Sequence, residues 1–379
     1  VKIALVSPYD WSVPGGVNRH VTSLAQHFIR KGHEVRVIAP SSRVSMPSPE
    51  FLTVIGESVI GLPASGSVAN VCVSYNLGPK VRRLLARERF DIVHVHEPFM
   101  PLLPFQFLRY ADTTTIATFH AAREGGSRLY AYSKFIIRPW WHRIHGRIAH
   151  SRAALRLIGK HFPDRYRIIP SGVDTASFAE ATPIPQLMDH KRNILFLSRL
   201  EKRKGLPFLL EAYAKLKPEM PDTRLIIVGG DGGLRAVCER YVQQNRLEDV
   251  IFTGRVPEEE KPRYFKTADI YCAPNTGAES LGIVLLEAMA AGTPIVASNI
   301  QGFADLLSHE QEGLLVRPSD SDALCEALKR LLRDDAAREV MGRNATKKAQ
   351  QYTWEKMATR VLEYYEEVDR SRRDGHNGS

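Results

Sequence analysis

Residues 2–39 read KIALVSPYDWSVPGGVNRHVTSLAQHFIRKGHEVRVIA, and this stretch decides the fold. Lys2–Pro8 is a short apolar run that reads as a first buried strand. The turn YDWSVPGG follows, and Val17–Lys31 then repeats its apolar residues at helical spacing. Gly32 ends that helix, and Glu34–Ala39 is the second strand. Strand, helix and strand in this order predict an open α/β sheet with crossover helices.

Working outward, Asp91–His96 and Thr115–Phe119 are further strands, with helical patterns at Lys80–Arg87 and Leu129–His145. The Pro, Gly and Ser content of Ser45–Gly78 predicts an irregular or β-hairpin excursion. Prolines in ATPIPQL mark a linker near 180–188, after which a second α/β series begins. Its strands are Asn193–Ser198, Leu225–Gly229, Val250–Gly254, Ile270–Ala273 and Pro294–Ala297. Its helices are Leu206–Leu216, Glu259–Ala268, Val284–Ala291 and Ser321–Arg333, and Glu355–Val368 is a last helix before a polar tail expected to fray. The expected organisation is α/β, with two Rossmann-like domains at 1–180 and 181–355 facing across a deep cleft. Residues 356–379 then pack back toward the first domain.

With 379 residues, 44% of them hydrophobic, the chain can bury two cores. Cys72, Cys238, Cys272 and Cys325 have neither metal-ligand nor redox spacing, which suits a reduced compartment. No window is apolar enough for a membrane span, and the first residues read as a strand rather than a leader. The expectation is a cytoplasmic protein, peripheral at the inner face of the plasma membrane if it meets lipid at all. A net charge of +10 favours a polyanionic partner without choosing among them.

Gly15 and Gly16 sit where a strand's loop enters a helix, a place where backbone N–H groups can meet an anion or simply form a tight turn. No GxGxxG is present, so a nicotinamide dinucleotide is not indicated. SRLEKRKG at 198–205 puts Arg199, Lys202, Arg203 and Lys204 just beyond a strand's carboxyl end, where cations suit a diphosphate. GAESLGIVLLEAMAAGTPIVAS at 277–298 holds Glu279 in a loop and Glu287 eight residues on in an apolar helix. That separation lets both carboxylates fall near one face, with sugar hydroxyls as partners. His94, His96 and His120, with Glu97 beside them, lack zinc-site spacing, and no metal site is assigned.

These ordered motifs resemble the retaining nucleotide-sugar glycosyltransferases of the GT-B fold, in the large family 4 that includes bacterial α-mannosyltransferases and sucrose synthases. The resemblance runs from Lys2 to the final helix, broken mainly between Pro40 and Gly66. It implies that Gly16, next to Gly15, lies against the donor diphosphate while Arg199 and Lys204 neutralise it. It implies that Glu279, in the run with Ser280, Leu281 and Gly282, touches the transferred sugar, that Glu287 holds ribose hydroxyls, and that His120 stands beside the sugar. GRVPEEEK aligns with the base-contacting segment, placing Val256, Glu258 and Lys261 there. A carboxylate at Glu258 can accept from guanine N1 and N2, which favours a GDP-sugar over a UDP-sugar. No DxD-like clamp is seen, so the expectation is a nucleotide-sugar donor, no other cofactor and no metal requirement.

Lipid-active relatives carry a basic helix before an FDxxH strand, and here Lys80, Arg82, Arg83 and Arg87 occupy that place, with Phe99, Phe105, Phe107, Trp140 and Trp141 as candidate apolar anchors. The expected partners are a nucleotide sugar, a lipid or glycan acceptor and an anionic membrane surface. Where those relatives read NGSVARLR, this chain reads SGSVANVC, with Asn70 and Cys72 in place of arginines, a departure that speaks against an inositol phospholipid acceptor. A soluble glycan or cyclitol acceptor, a nucleotide-sugar epimerase and a nucleic-acid-binding protein are the alternatives. No nucleic-acid-binding signature is found for the last.

Overall fold

A computed structural model describes residues 1–13, 15–43, 49–64, 67–74, 76–100, 102–121 and 137–377, with side chains outside 62–69 and 375–377. The chain divides into two compact units, Val1–Gly172 with Trp354–Ser379, and Val173–Thr353. The first unit holds β1 (Lys2–Val6), β2 (Glu34–Ala39), β3 (Leu52–Val54), β4 (Val59–Ala64), β5 (Ser67–Cys72), β6 (Ile92–His96), β7 (Thr114–Phe119), β8 (Gly146–Ala149) and β9 (Arg167–Ile168). Seven of these form a parallel sheet in the order β3-β2-β1-β6-β7-β8-β9, and β4 and β5 pair as an antiparallel hairpin. Helices cover both faces, so β6 and β7 are buried at every position.

The second unit holds β10 (Arg192–Leu197), β11 (Thr223–Val228), β12 (Val250–Gly254), β13 (Ile270–Ala273), β14 (Ile295–Ser298) and β15 (Gly313–Val316). They form a parallel sheet in the order β12-β11-β10-β13-β14-β15. Both sheets therefore reverse direction beside their first strand, the doubly wound order of Rossmann folds.

Three sequence expectations are corrected. The units divide at Gly172/Val173, not near 180, because Thr175–Glu180 is a helix whose Phe178 packs on Phe265 at 5.7 Å between ring centroids. The proline-rich stretch after it is also part of the second unit, with Ile184 N donating to Thr267 Oγ1 at 2.8 Å. The last helix runs Trp354–Asn377 instead of stopping at Val368, because side chains beyond that point are held. Asp369 accepts from Thr114 Oγ1 at 2.5 Å and pairs with Arg373 at 2.7 Å. Met357, Ala358, Val361, Tyr365 and Val368 of this helix are buried in the first unit's core. Finally, Arg138–Arg143 is a 3-10 turn where a helix Leu129–His145 was expected; residues 129–136 lie outside the described residues.

The helix Asp335–Ala349 was missed because it buries small residues rather than an apolar stripe. A Cβ on Gly342 would stand 2.4 Å from Gly292 O. Among the described residues, no helix is long and apolar enough to cross a membrane.

Candidate functional site

Ligands of doubly wound sheets bind beyond the carboxyl ends of the strands, where the strand order reverses. In the second unit that point lies between β10 and β13. Arg199–Lys204 leaves the end of β10 and residues 274–282 leave the end of β13, and the loops are tied together by Thr276 N donating to Arg203 O at 2.9 Å. Gly205 makes the approach feasible: its φ is +72°, and a Cβ there would stand 1.8 Å from Pro274 O.

Charges alternate across this junction. Glu279 Oε2 receives Lys204 Nζ at 2.6 Å, Asn275 Nδ2 at 3.1 Å and Arg203 Nη1 at 3.5 Å. The buried Glu201 holds Arg199 Nη2 at 3.0 Å and Arg203 Nε at 3.1 Å. Burial alone would raise the Glu279 carboxyl, but Lys204 and Arg203 outweigh it and hold the group below its ordinary range. The sequence motif therefore assembles, Arg203 included, with Glu201 and Asn275 added to it, while Lys202 stays exposed.

The helix that follows starts at Ile283, four residues beyond Glu279, after Gly282 with φ +74°. Helical phase therefore does not relate Glu279 to Glu287, which corrects the shared-face expectation. Both carboxylates act on the buried Tyr271, whose hydroxyl is pushed far up by burial and further by their charge. Glu287 is 4% exposed on its apolar helix. Leu281 is buried in the core, so only its backbone can face a ligand, and Val256 is half-buried against the same core. Glu258 pairs with Lys261 at 2.8 Å, so the two side chains expected near a base first meet each other.

In the first unit the reversal lies between β1 and β6. Gly15, extended at φ −153°, precedes the helix Gly16–Arg30, and among the described residues a Cβ on either glycine would meet nothing within 4 Å. A helix start of this kind can receive an anion. His120 follows β7 and is braced by Glu97, a residue with φ +49° at the end of β6. Glu97 Oε1 accepts from the backbone N–H of His120 at 2.6 Å and of Ala121 at 2.7 Å.

His120 is not alone. His20, His94, His96 and His150 surround it, with ring centroids 4.2–5.5 Å apart from neighbour to neighbour. His94 is closed off by Tyr365 Oη and Thr118 Oγ1, each at 2.6 Å. His96 Nδ1 meets His120 Nε2 at 2.9 Å. His20 comes from a helix that no strand motif points to, and so sequence reading passed over it.

Burial takes His94 to about 3 and His150 to about 4, and burial followed by mutual repulsion holds His20, His96 and His120 well below the ordinary histidine range. An unfolded chain takes up these protons near pH 6.5, while the folded one refuses them until far lower. The stability they confer is whole above pH 6.5 and falls as pH drops from there toward the folded values. The slope is about 1.4 kcal/mol per pH unit for each proton withheld. All four tryptophans, Trp11, Trp140, Trp141 and Trp354, lie in the first unit, so tryptophan fluorescence follows its unfolding. Its urea midpoint is expected to fall steeply between pH 7 and 5; a flat midpoint would mean that the rings titrate in the folded state.

Two doubly wound units, each with charged or polar groups at its switch point, are the architecture of the GT-B glycosyltransferases. Residues 14–177 match the family described as Glycosyltransferase Family 4, and residues 178–348 that described as Glycosyl transferases group 1. The phosphatidyl-myo-inositol mannosyltransferase of Mycobacterium leprae is 38% identical over 374 residues, covering 97% of this chain and 97% of that protein. Its counterpart from Mycolicibacterium smegmatis is 37% identical over 372 residues, covering 97% and 94%. Sucrose-phosphate synthase of Thermosynechococcus elongatus has the same fold, with a TM-score of 0.76 at 23% identity over 98% of this chain and 99% of that one. The chain belongs to glycosyltransferase family 4 and is a GT-B glycosyltransferase.

Proposed function

We propose that this enzyme transfers mannose from a GDP-sugar to an inositol phospholipid, with retention of configuration, at an anionic membrane face. The observation that carries the reading is the cation and carboxylate cluster at the β10/β13 switch point. It occurs in a chain similar, over nearly its whole length, to proteins named for mannosyl transfer to phosphatidyl-myo-inositol. Arg199 and Lys204 neutralise the donor diphosphate, supplying the positive charge that a divalent ion would otherwise bring. Glu279 and His120 hold hydroxyls of the transferred sugar, Glu287 the ribose, and the Glu258/Lys261 pair opens to a guanine edge. The backbone at Gly15 and Gly16 accepts a phosphate.

The bond from the sugar's anomeric carbon to the phosphate oxygen breaks as the bond to the acceptor oxygen forms on the same face. The acceptor's proton passes to the leaving phosphate. Neither Glu279 nor Glu287 acts as a covalent nucleophile in this scheme, which separates it from double-displacement glycosidases.

The loss of arginines at 70 and 72 does not remove this acceptor. Cys72 is fully buried, and a Cβ on Gly56 would stand 2.4 Å from its Sγ, so position 72 belongs to the core here. The acceptor phosphate is then met by other cations of the first unit. Incubation with GDP-mannose and UDP-glucose, with EDTA present, over vesicles containing phosphatidylinositol, phosphatidylglycerol or neither tests the reading. Mannolipid formed with phosphatidylinositol from GDP-mannose is expected, with an α anomer by NMR. Transfer from UDP-glucose, or transfer to phosphatidylglycerol instead of phosphatidylinositol, would overturn the donor or the acceptor assignment.

Membrane docking is supported by the helix Leu77–Glu88, where Lys80, Arg82, Arg83 and Arg87 are all exposed. Lys80, Arg83 and Arg87 share one face by their spacing, while Arg82 lies over the Tyr110 ring at 5.3 Å. Phe99 and Phe107 are buried in the core and cannot serve as the anchors expected of them; Phe105 and Trp140 stay half-buried with rings 5.8 Å apart. The attraction is therefore electrostatic, on the order of 1 kcal/mol per cation, and fades with salt. Flotation with anionic vesicles at low salt is expected for the parent and not for a Lys80/Arg82/Arg83/Arg87→Ser variant. Equal flotation of the two would remove this helix from the role.

A further inference from the structure

We propose that His20, His96 and His120 form a binding site for an imidazole-preferring divalent ion such as Zn²⁺, Co²⁺ or Ni²⁺. The three side chains come from separate elements, the Gly16–Arg30 helix, the end of β6 and the segment after β7, and each offers a nitrogen within 4.8 Å of the other two. Their ring centroids form a nearly equilateral triangle with sides of 5.1, 5.2 and 5.5 Å. A tetrahedral ion with nitrogen ligands at about 2.0–2.1 Å sets imidazole centroids about 5.2 Å apart. The triangle thus has the size that ligation requires, and small ring rotations bring the nitrogens to bear.

The surroundings supply what such a ligand set needs. His20 Nδ1 meets Ser171 Oγ at 3.1 Å, which fixes the ring and leaves Nε2 for the metal as an outer-shell partner does. Among the described residues, His96 Nε2 and His150 Nδ1 are buried without a hydrogen-bond partner, an expense that ion binding can relieve. His150, 4.7 Å from His120 and 5.2 Å from His20, is the nearest source of a fourth nitrogen.

Selectivity follows from the donor type. The cluster offers nitrogen alone, and the nearby Glu97 spends Oε1 on two backbone N–H groups. Zn²⁺, Co²⁺ and Ni²⁺ accept such a set, whereas Mg²⁺ and Ca²⁺ require oxygen. A second consequence rests on the function proposed above. An ion held by His120 withdraws that ring from the transferred sugar, so occupancy inhibits an enzyme that needs no metal.

The test uses the full chain without an affinity tag, stripped with EDTA and dialysed. Equilibrium dialysis against Zn²⁺ and Co²⁺ is expected to give one tight ion per chain, with visible Co²⁺ absorption of a low-coordinate nitrogen site, and no comparable uptake of Mg²⁺. His20→Asn and His96→Asn should each weaken binding by more than the about 10–100-fold that loss of an outer-shell partner costs. His142→Asn and His190→Asn, at exposed positions, should leave it unchanged. Circular dichroism checks folding, and His20→Asn, on a helix, decides the matter if His96→Asn does not fold. Absent Co²⁺ and Zn²⁺ uptake, or uptake undiminished in folded His20→Asn, would overturn the site. These binding readouts hold whichever sugar or acceptor the enzyme uses. Full transfer activity with the ion bound would overturn the inhibition alone.

Discussion

Lys204→Ala is expected to lower kcat/KM by about 10²–10³, the loss that follows removal of a preorganised charge donor. Arg199→Ala should cost a similar factor, yet the two variants should differ in their pH dependence. Lys204 is the strongest partner of Glu279, and with it gone burial is opposed by Arg203, which lies farther away at 3.5 Å, and by the backbone hydrogen bond from Ser280. The Glu279 carboxyl then rises from its depressed value. If the ionised form is needed, the acid limb of kcat/KM moves to higher pH in Lys204→Ala. Arg199 pairs with Glu201 instead, so its removal should lower the plateau and leave the acid limb in place. Unchanged turnover in both folded variants would take these cations out of the reaction.

Glu279→Gln and Glu287→Ala are expected to fail in different steps. Glu279 sits among Lys204, Arg203 and Asn275 in the loop after β13, where a carboxylate can hold a sugar hydroxyl while the cations face the diphosphate. The amide of Glu279→Gln keeps the shape but loses the charge that Lys204 answers. Transfer should fall by about 10²-fold or more, as for a lost charge-assisted contact made in the transition state, while free GDP binds nearly as before. Glu287 is buried on the apolar helix Ile283–Ala291, and the ribose contact proposed for it belongs to the ground state. Glu287→Ala should weaken GDP by roughly 10–100-fold, in line with a hydrogen bond to a charged group worth about 1.5–3 kcal/mol. Calorimetry with GDP and UDP on both variants separates the roles, and the reverse pattern would exchange them.

Much of this was legible in the chain itself, because strands buried on both faces and helices buried on one leave local records. Leu206–Leu216, Val250–Gly254, Ile270–Ala273 and Ser321–Arg333 have in the structure the bounds their apolar patterns predict. The motif chemistry was local too, since SRLEKRKG follows a strand and GAESLG precedes a helix. Elements that bury small residues, such as Asp335–Ala349, left no such record. The last helix hid its true length because Asp369 is held by Thr114, a partner that only folding supplies.

What the sequence by itself determined is therefore the alternation of elements, the two-part α/β organisation and the identity of the charged groups at strand ends. The tertiary structure decided which of those groups meet. Lys204 and Glu279 are 75 residues apart and touch because β10 and β13 are neighbours in the sheet. His20, His96 and His120 converge because a helix and two strand ends share one edge, a relation that no spacing along the chain encodes. Local patterning fixes elements through burial, but a site is a set of non-local contacts, and these exist only once strand order is set.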